Sequence, residues 1–286
     1  MGLFSDILLT VDFDRTLTAT DSTIPKRNLE AIEYFIANGG AFTVNTGRSL
    51  PMARIFRDQV PVNAPLLLYN GSAAYDLEKE CFTFTHTIDL DMTQTLARVT
   101  ELFPDLRVEV QGVDAHYIFT QDPAWDAFTD KNCCARGHAR LGDDLGPFLK
   151  FALYGQIRSD TVADLYATLP GEQARMDAAE RQLKELLGGH CEVFRAAARI
   201  IDVHAKGVSK CLSARQLQRH LGRKILVCVG DADNDLSMLE GADYAFCPAG
   251  SIVADRFENV CTCDEGAVAD VIFEKIPQIL KTKLDK

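Results

Sequence analysis

The sequence predicts an α/β protein with a doubly wound, mostly parallel Rossmann-like core sheet and an inserted α+β cap domain. Apolar runs of strand length alternate with helical patterns over residues 1–82, and the same alternation returns over residues 198–286. Such alternation is typical of a parallel sheet with crossover helices. Residues 83–197 instead mix hairpin-like strands with helices. We therefore expect a first core segment (1–82), a cap (83–197) and a second core segment (198–286).

In the first core segment, residues 7–13 predict an apolar strand and residues 25–38 a helix with a broad apolar face. Pro25 suits the first turn of this helix, and Gly39 suits its C-terminal cap. A strand at 41–45, a helix at 50–56 and a strand at 65–69 follow. The last segment predicts strands at 199–203 and 225–229, with helices at 208–221, from Asn234 and from Gly266.

Between these segments the pattern changes to one without regular alternation. It predicts strands at 73–75, 81–85, 107–111, 116–120, 148–154 and 192–194, and helices at 92–102, 161–169 and 176–187. Residues 126–146 favour no element. Strands and helices mixed in this way are typical of an α+β domain.

Composition excludes several classes of protein. The 286 residues are 47% hydrophobic and 25% charged, which is ordinary for a globular protein. The formal net charge of −11 disfavours nucleic-acid binding, which needs clustered Lys and Arg. The uncharged apolar runs at 7–11 and 225–229 are far shorter than the roughly 18 residues of a membrane span, so we expect no membrane insertion. We expect a cytoplasmic protein, because the N-terminus lacks a basic n-region and a signal-peptide cleavage site. We expect a monomer or a homodimer.

The nine cysteines form no C-x-x-C pair, and several, such as Cys228 and Cys247, lie in apolar strand-like runs. Reduced thiols within a core are the expected state. Cys133-Cys134 and Cys261-x-Cys263 could bind a soft metal, but no Cys/His pair stands at zinc spacing, so we disfavour this.

Acidic side chains follow the first predicted strand. Asp12 and Asp14 come directly after five apolar residues. Ligands of open parallel sheets gather at the carboxyl ends of the strands. Two acids this close either share a proton or recruit a hard cation such as Mg²⁺, unless they are incidental acids of a solvated turn.

Three further strand ends carry complementary groups. Thr46-Gly47-Arg48 offers a hydroxyl and backbone N–H groups at a predicted helix N-terminus, which suits an anion. Lys206 and Lys210 lie near the start of the helix at 208–221, where one of them could neutralise a phosphate and either could be a surface lysine. The hexapeptide 230–235, Gly-Asp-Ala-Asp-Asn-Asp, follows the strand at 225–229.

Taken together and in this order, these segments resemble the four motifs of the haloacid dehalogenase superfamily of phosphohydrolases. The resemblance implies that Asp12 is the nucleophile that forms an aspartyl-phosphate and that Asp14 is the acid/base. Lys210 is preferred over Lys206 because Gly207-x-x-Lys210 matches the G-x-x-K spacing of the family. The resemblance further implies phosphate binding by Thr46, Gly47, Lys210 and Asn234.

A metal is implied in the same way. The resemblance implies Mg²⁺ held by Asp12, by the backbone carbonyl of Asp14 and by Asp231. Asn234 and Asp235 lie next to these residues in the motif and are either further ligands or residues that contact the ligands. Arg15 stands where many relatives have Gly, and either touches substrate or faces solvent.

The resemblance narrows to the Cof-type branch, or subfamily IIB, whose large α+β cap follows the third core strand. Asn70-Gly71-Ser72 resembles its N-G-A turn, and residues 230–239 resemble its fourth motif. Where the branch has a Gly-Asn-Ala turn after the strand at 244–246, this chain has Cys-Pro-Ala-Gly-Ser at 247–251, so no ligand role is carried over there.

The implied function is Mg²⁺-dependent hydrolysis of a small phosphorylated metabolite, such as a sugar phosphate. Two alternatives stay open: a phosphosugar mutase of the same branch, and a non-catalytic sensor of a phosphorylated ligand, which the retained acids disfavour. A cap that closes over the core is expected to select the substrate. Four residues of the cap are conceivable contacts, although such aromatic side chains are more typical of a core: His116, Tyr117, Trp125 and His138.

Overall fold

A computed structural model describes residues 2–54, 57–120, 122–132, 136–157 and 171–284. The helix expected at 161–169 and the Cys133-Cys134 pair lie outside these residues. The chain divides into two units. The first comprises Met1–Thr46, Arg57–Thr83 and Ser209–Lys286, and the second comprises Gly47–Phe56 and Phe84–Val208.

The strands are β1 (Ile7–Val11), β2 (Ala41–Val44), β3 (Leu66–Leu68), β4 (Ala73–Asp76), β5 (Cys81–Thr85), β6 (Arg107–Gln111), β7 (His116–Ile118), β8 (Arg136–His138), β9 (Lys150–Tyr154), β10 (Cys191–Ala197), β11 (Ile200–Ala205), β12 (Ile225–Val229), β13 (Tyr244–Pro248) and β14 (Glu258–Val260). The helices are α1 (Lys26–Ala37), α2 (Leu50–Ala53), α3 (Met92–Leu102), α4 (Pro123–Asn132), α5 (Glu172–Leu187), α6 (Lys210–His220), α7 (Leu236–Glu240), α8 (Ala267–Asp270) and α9 (Ile276–Leu284).

The first unit contains a parallel sheet in the order β14-β13-β12-β1-β2. Every residue of β1 and β12 is buried, as their continuous apolar runs predict for central parallel strands. A bridge from Asn45 to Leu67 joins the end of β2 to β3, which forms a hairpin with β4. The predicted α/β class is confirmed, and the chain leaves β1, β2 and β12 at one edge of the sheet.

The second unit contains a mostly antiparallel sheet in the order β10-β11-β9-β6-β7-β8. One face carries apolar residues such as Val108 and Leu153, which pack against Leu96 of α3 and Leu183 of α5. The other face carries the alternate residues, and many of these are charged or polar yet buried. They include Arg107, Glu109, His116, Lys150 and Asp202.

The prediction of a parallel core strand at 199–203 is wrong. β11 pairs antiparallel with β10 and β9 in the sheet of the second unit. Only Ala198 and Arg199 separate β10 from β11, and so short a link allows a hairpin, whereas a parallel crossover needs about a dozen residues. The first unit therefore resumes at Ser209 instead of residue 198.

Other differences are local. The helix expected at 50–56 is described only as α2, Leu50–Ala53, and residues 47–56 group with the second unit instead of the first. Helix α4 and strand β8 occupy part of the stretch 126–146, for which the sequence favoured no element. No helix within the described residues is long and apolar enough to span a bilayer.

Glu109 gives a prediction for acid stability. Burial alone raises the pKa of Glu109, but His116 and Arg107 outweigh burial and lower it to about 2. A carboxyl group whose pKa is lower in the folded than in the unfolded state stabilises the fold at any pH above its unfolded pKa of about 4.3. Here that stabilisation is on the order of 3 kcal/mol, and it is lost as the pH falls toward the pKa of the folded state.

We therefore expect Glu109→Gln to lower the free energy of unfolding at pH 7, and the difference from wild type to shrink steadily below about pH 4.5. Urea unfolding over a pH series measures both quantities. A difference that is constant down to the acid limit would contradict this assignment.

Candidate active site

Asp12 follows β1 directly and is buried, with 7% of its surface exposed. Its backbone N–H donates to the carbonyl of Val229 at 2.9 Å, which continues the β1–β12 pairing by one residue. The ammonium of Lys210 donates to Asp12 Oδ1 and to Asp235 Oδ1, both at 2.6 Å. Three distant segments therefore meet at one buried ammonium group.

Lys210 is placed by the start of α6. Ser209 is the N-cap, and its Oγ accepts the backbone N–H of Leu212 at 3.1 Å. Asn45, at the end of β2, donates from Nδ2 to the carbonyl of Lys210 at 2.9 Å. The first turn of α6 is therefore fixed both by its own cap and by the neighbouring strand end.

The turn after β12 is closed by Asp235. Its Oδ2 accepts the backbone N–H groups of Asp231 at 3.0 Å and of Ala232 at 3.1 Å. A Cβ at Gly230 would lie 2.6 Å from the Cβ of Asp235, so only glycine allows this close approach. Asp235 is fully buried, and it links this turn to Lys210.

Thr16 connects the two acidic segments. It lies in the tight turn Phe13–Leu17 that follows β1, and its Oγ1 donates to Asp231 Oδ1 at 2.8 Å. Neither Thr16 nor Asn45 is among the site residues predicted from the sequence. Thr16 lies within the segment already singled out for Asp12 and Asp14, which is the signal that could have drawn attention to it.

The Asn70-Gly71 turn packs against the same helix start. Asn70 and Gly71 both have positive φ, at 52° and 103°. A Cβ at Gly71 would lie 2.3 Å from the backbone oxygen of Ser209, so the turn lies directly against the N-cap of α6. The turn therefore helps to fix the position from which Lys210 extends.

The acids of this cluster are short of positive charge. Burial raises the pKa of Asp12 well above its usual range; Lys210 lowers it in part, and Asp235, Asp231 and Asp14 raise it further. Burial, and after it the charge of Asp235, outweigh the lowering effects of Thr16 and Lys210 and raise the pKa of Asp231 to about 7. Burial alone lowers the pKa of Lys210, but Asp12 and Asp235 outweigh it and raise that pKa. Lys210 therefore stays protonated and compensates only part of the negative charge.

This donor set fits a hard divalent cation. One carboxylate oxygen from each of Asp12, Asp231 and Asp235 lies within 4.8 Å of the others. Carboxylate oxygens are the ligands that Mg²⁺ and Ca²⁺ prefer, and a divalent cation would supply the missing charge. Both oxygens of Asp235 already accept hydrogen bonds, so Asp12 and Asp231 are the better placed ligands.

The other predicted site residues lie as follows. Asp14 is half-buried in the turn after β1, beside an exposed Arg15 with φ of 59°. Asn234 is half-buried in the 3₁₀ turn Asp233–Asp235. Thr46 is buried, and its backbone N–H donates to Leu67 and its carbonyl accepts from Asn70.

Gly47 and Lys206 belong to the second unit. The carbonyl of Gly47 accepts a hydrogen bond from Lys150. Lys206 is exposed and donates to the carbonyl of Gly188 at 2.9 Å and to Glu192 at 3.2 Å. Lys210 therefore pairs with Asp12 within the first unit, whereas Lys206 pairs with Glu192 within the second.

Comparison with known proteins gives a consistent family. The family model of haloacid dehalogenase-like hydrolases matches residues 9–252. The 5-amino-6-(5-phospho-D-ribitylamino)uracil phosphatase YitU of Bacillus subtilis is 23% identical over 93% of this chain and 96% of its own.

Solved structures share the fold. A haloacid dehalogenase-like hydrolase from Bacteroides thetaiotaomicron has a TM-score of 0.77 at 21% identity, covering 94% of this chain and 98% of that one. The subclass IIB sugar phosphatase BT4131 has a TM-score of 0.75 at 18% identity, covering 95% and 99%.

Gly71 and Gly222 offer a matched test of the packing against α6. Both have positive φ, but a Cβ at Gly222 meets no atom within 4 Å. We expect Gly71→Ala to lower the free energy of unfolding by roughly 1–3 kcal/mol more than Gly222→Ala does, because only the new Cβ at position 71 forces the start of α6 to shift. Thermal and urea unfolding measure the difference, and equal losses would show that the close approach is tolerated.

Proposed function

Because the chain belongs to the haloacid dehalogenase-like hydrolases, as its motifs predicted, we propose that it is a Mg²⁺-dependent phosphatase of small phosphorylated metabolites. The observation that carries the proposal is the buried ammonium of Lys210 between Asp12 and Asp235, at the carboxyl ends of parallel strands. A relative named as a phosphatase, similar over 93% of this chain, supports it.

Asp12 is the nucleophile in this proposal. Its carboxylate attacks phosphorus and forms an aspartyl-phosphate, while the bond from phosphorus to the ester oxygen breaks. Lys210 holds one oxygen of Asp12 at 2.6 Å, which orients the carboxylate and neutralises part of the charge that the phosphoryl group brings. Thr46, Gly47 and Asn234 contribute hydrogen-bond donors to the phosphoryl oxygens.

Asp14 moves the proton. It protonates the departing ester oxygen in the first step, then takes a proton from the water that attacks the aspartyl-phosphate. That attack releases inorganic phosphate and restores Asp12. Asp14 lies near enough to both Asp12 and Asp231 for its charge to raise their pKa values, which supports its place beside the nucleophile.

Asp12, the carbonyl of Asp14 and Asp231 would hold Mg²⁺. When bound, the cation supplies the positive charge that lets an anionic carboxylate approach an anionic phosphate. Thr16 orients Asp231 through its hydrogen bond, and Asp235 holds the turn that carries Asp231. These two contacts fix one ligand without occupying both of its oxygens.

The proposed substrates are phosphomonoesters of sugars or polyols. The relative YitU is named for a substrate with a phosphorylated ribityl group, and the structural neighbour BT4131 is named a sugar phosphatase. Both names describe a phosphate carried on a small polyhydroxylated group, which is the substrate class proposed here.

The direct test is phosphate release. We expect the protein to release inorganic phosphate from members of a panel of sugar and polyol phosphates with Mg²⁺, but not with EDTA. Asp12→Asn keeps the shape of the side chain but removes the nucleophile, so turnover is expected to disappear while thermal unfolding stays cooperative. Wild-type protein that releases no phosphate, or a fully active Asp12→Asn variant, would refute the proposal.

Lys210 and Lys206 provide a matched pair for the third motif. We expect Lys210→Ala to lower kcat/KM by about a hundredfold or more, because it removes the buried cation beside the nucleophile. Lys206→Ala removes an exposed ion pair with Glu192 and is expected to change kcat/KM by less than about twofold. Initial rates with circular dichroism as a folding check measure both; the reverse order would reassign the motif.

A further inference from the structure

The segment that follows Thr46 is bound to the sheet of the second unit. The first stretch of the first unit ends at Thr46, and Gly47–Phe56 belong to the second unit. The ammonium of Lys150, on β9, donates to the carbonyl of Gly47 at 3.2 Å. The same ammonium pairs with Asp202 of β11 at 2.7 Å, and both side chains are almost fully buried.

A second contact holds Ser49. His116 Nδ1 lies 2.7 Å from Glu109 Oε1, and His116 Nε2 lies 2.7 Å from Ser49 Oγ. The depressed pKa of Glu109 keeps it a carboxylate, so Nδ1–H of His116 donates to it. Arg107 donates to the other oxygen of Glu109 at 2.9 Å, and Tyr154 donates to the first at 3.1 Å.

The order Ser49–His116–Glu109 is also that of a hydrolytic triad. Burial argues against such a role, because Ser49 is 0% exposed and His116 only 2%. Ser49 also caps α2, with its Oγ accepting the N–H of Met52 at 3.4 Å. The hydrogen bonds from Glu109 through His116 therefore hold Ser49 in place.

A third contact is apolar. Met52 packs against a buried cluster of the second unit formed by Trp125, Phe128, Ala152, Tyr154 and Ile157. Trp125 itself is fixed by a hydrogen bond from its indole N–H to the carbonyl of Gly155. The segment Gly47–Ala53 is thus held at its backbone, at a hydroxyl and at an apolar side chain.

We propose that Lys150 and His116 are positioning residues that fix the backbone following Thr46 in the conformation that binds the phosphoryl group. The proposal rests on the proposed function, which assigns phosphate binding to Thr46 and Gly47. Buried ion pairs often stabilise a fold no better than apolar residues of the same volume would. What Lys150 and His116 add is a directed hydrogen bond to a fixed atom of the loop, which reduces the reorganisation needed when a ligand binds.

The test uses Lys150→Met combined with Asp202→Asn, which removes the bond to Gly47 without leaving a buried carboxylate charge unpaired. The control is Arg195→Met on the opposite face of the same sheet, where Arg195 pairs with Asp177 and Glu180. The rate of amide hydrogen exchange in residues 44–54 measures how firmly the loop is held. Titration calorimetry with inorganic phosphate and Mg²⁺ measures the affinity for phosphate in the absence of turnover.

We expect the Lys150 variant to exchange residues 44–54 faster and to weaken phosphate binding about tenfold or more, with a matching rise in KM and a smaller change in kcat. The control is expected to lower thermal stability and leave exchange at 44–54 and phosphate binding unchanged. Unchanged exchange in the Lys150 variant, or faster exchange with unchanged phosphate binding, would overturn the proposal.

His116→Phe provides a second variant if the first does not fold, because it removes the contact to Ser49 while Ser49 keeps its cap on Met52. Glu109 keeps its hydrogen bonds from Arg107 and Tyr154 in this variant. The same readouts and the same outcomes apply to it. Wild-type protein that neither binds phosphate nor releases it would refute the proposed function itself, whereas the exchange measurement still reports whether Lys150 and His116 hold the segment.

Discussion

The buried ammonium of Lys210 is the interaction on which the candidate site depends. Burial alone would lower the pKa of a lysine in this place, because it disfavours the charged form. The carboxylates of Asp12 and Asp235, each at 2.6 Å, keep it protonated. Three segments must therefore keep fixed positions around this ammonium: the end of β1, the start of α6 and the turn after β12. The hydrogen bond from Asn45 to Lys210 and the close approach at Gly230 hold two of them in place.

The acids of the cluster could be predicted because they follow the apolar runs of two strands, whereas Lys210 was preferred over Lys206 only through the resemblance to the G-x-x-K spacing of the family. β1 and β12 are continuous apolar runs, and the residues that follow parallel strands lie at the same edge of the sheet. Thr16 and Asn45 could not be assigned in this way. Their partners lie 215 and 165 residues away, and nothing local in the sequence records such a contact.

The second unit shows a different limit of sequence patterns. The apolar residues of β6, β9 and β11 predicted strands, but strand periodicity does not say which sheet a strand joins, so β11 was assigned to the wrong one. The intervening charged residues have the composition of a solvated face. Lys150 and Asp202 are buried instead because each supplies the partner that the other needs.

The polar face of the second unit's sheet and the cluster around Lys210 differ in how far their negative charges are compensated. In the sheet of the second unit, burial alone raises the pKa of Asp202, but Lys150 and His204 outweigh it and lower the pKa. Glu109 behaves in the same way beside His116 and Arg107. In the cluster around Lys210, one ammonium faces several carboxylates, and the pKa values of Asp12 and Asp231 rise instead. A network whose acids are compensated within the protein serves to hold its own parts, as it does for Gly47 and Ser49. A cluster whose acids are compensated only in part offers ligands to a cation from solution, and this is why the proposed chemistry is assigned to Asp12 and not to the buried side chains of the sheet.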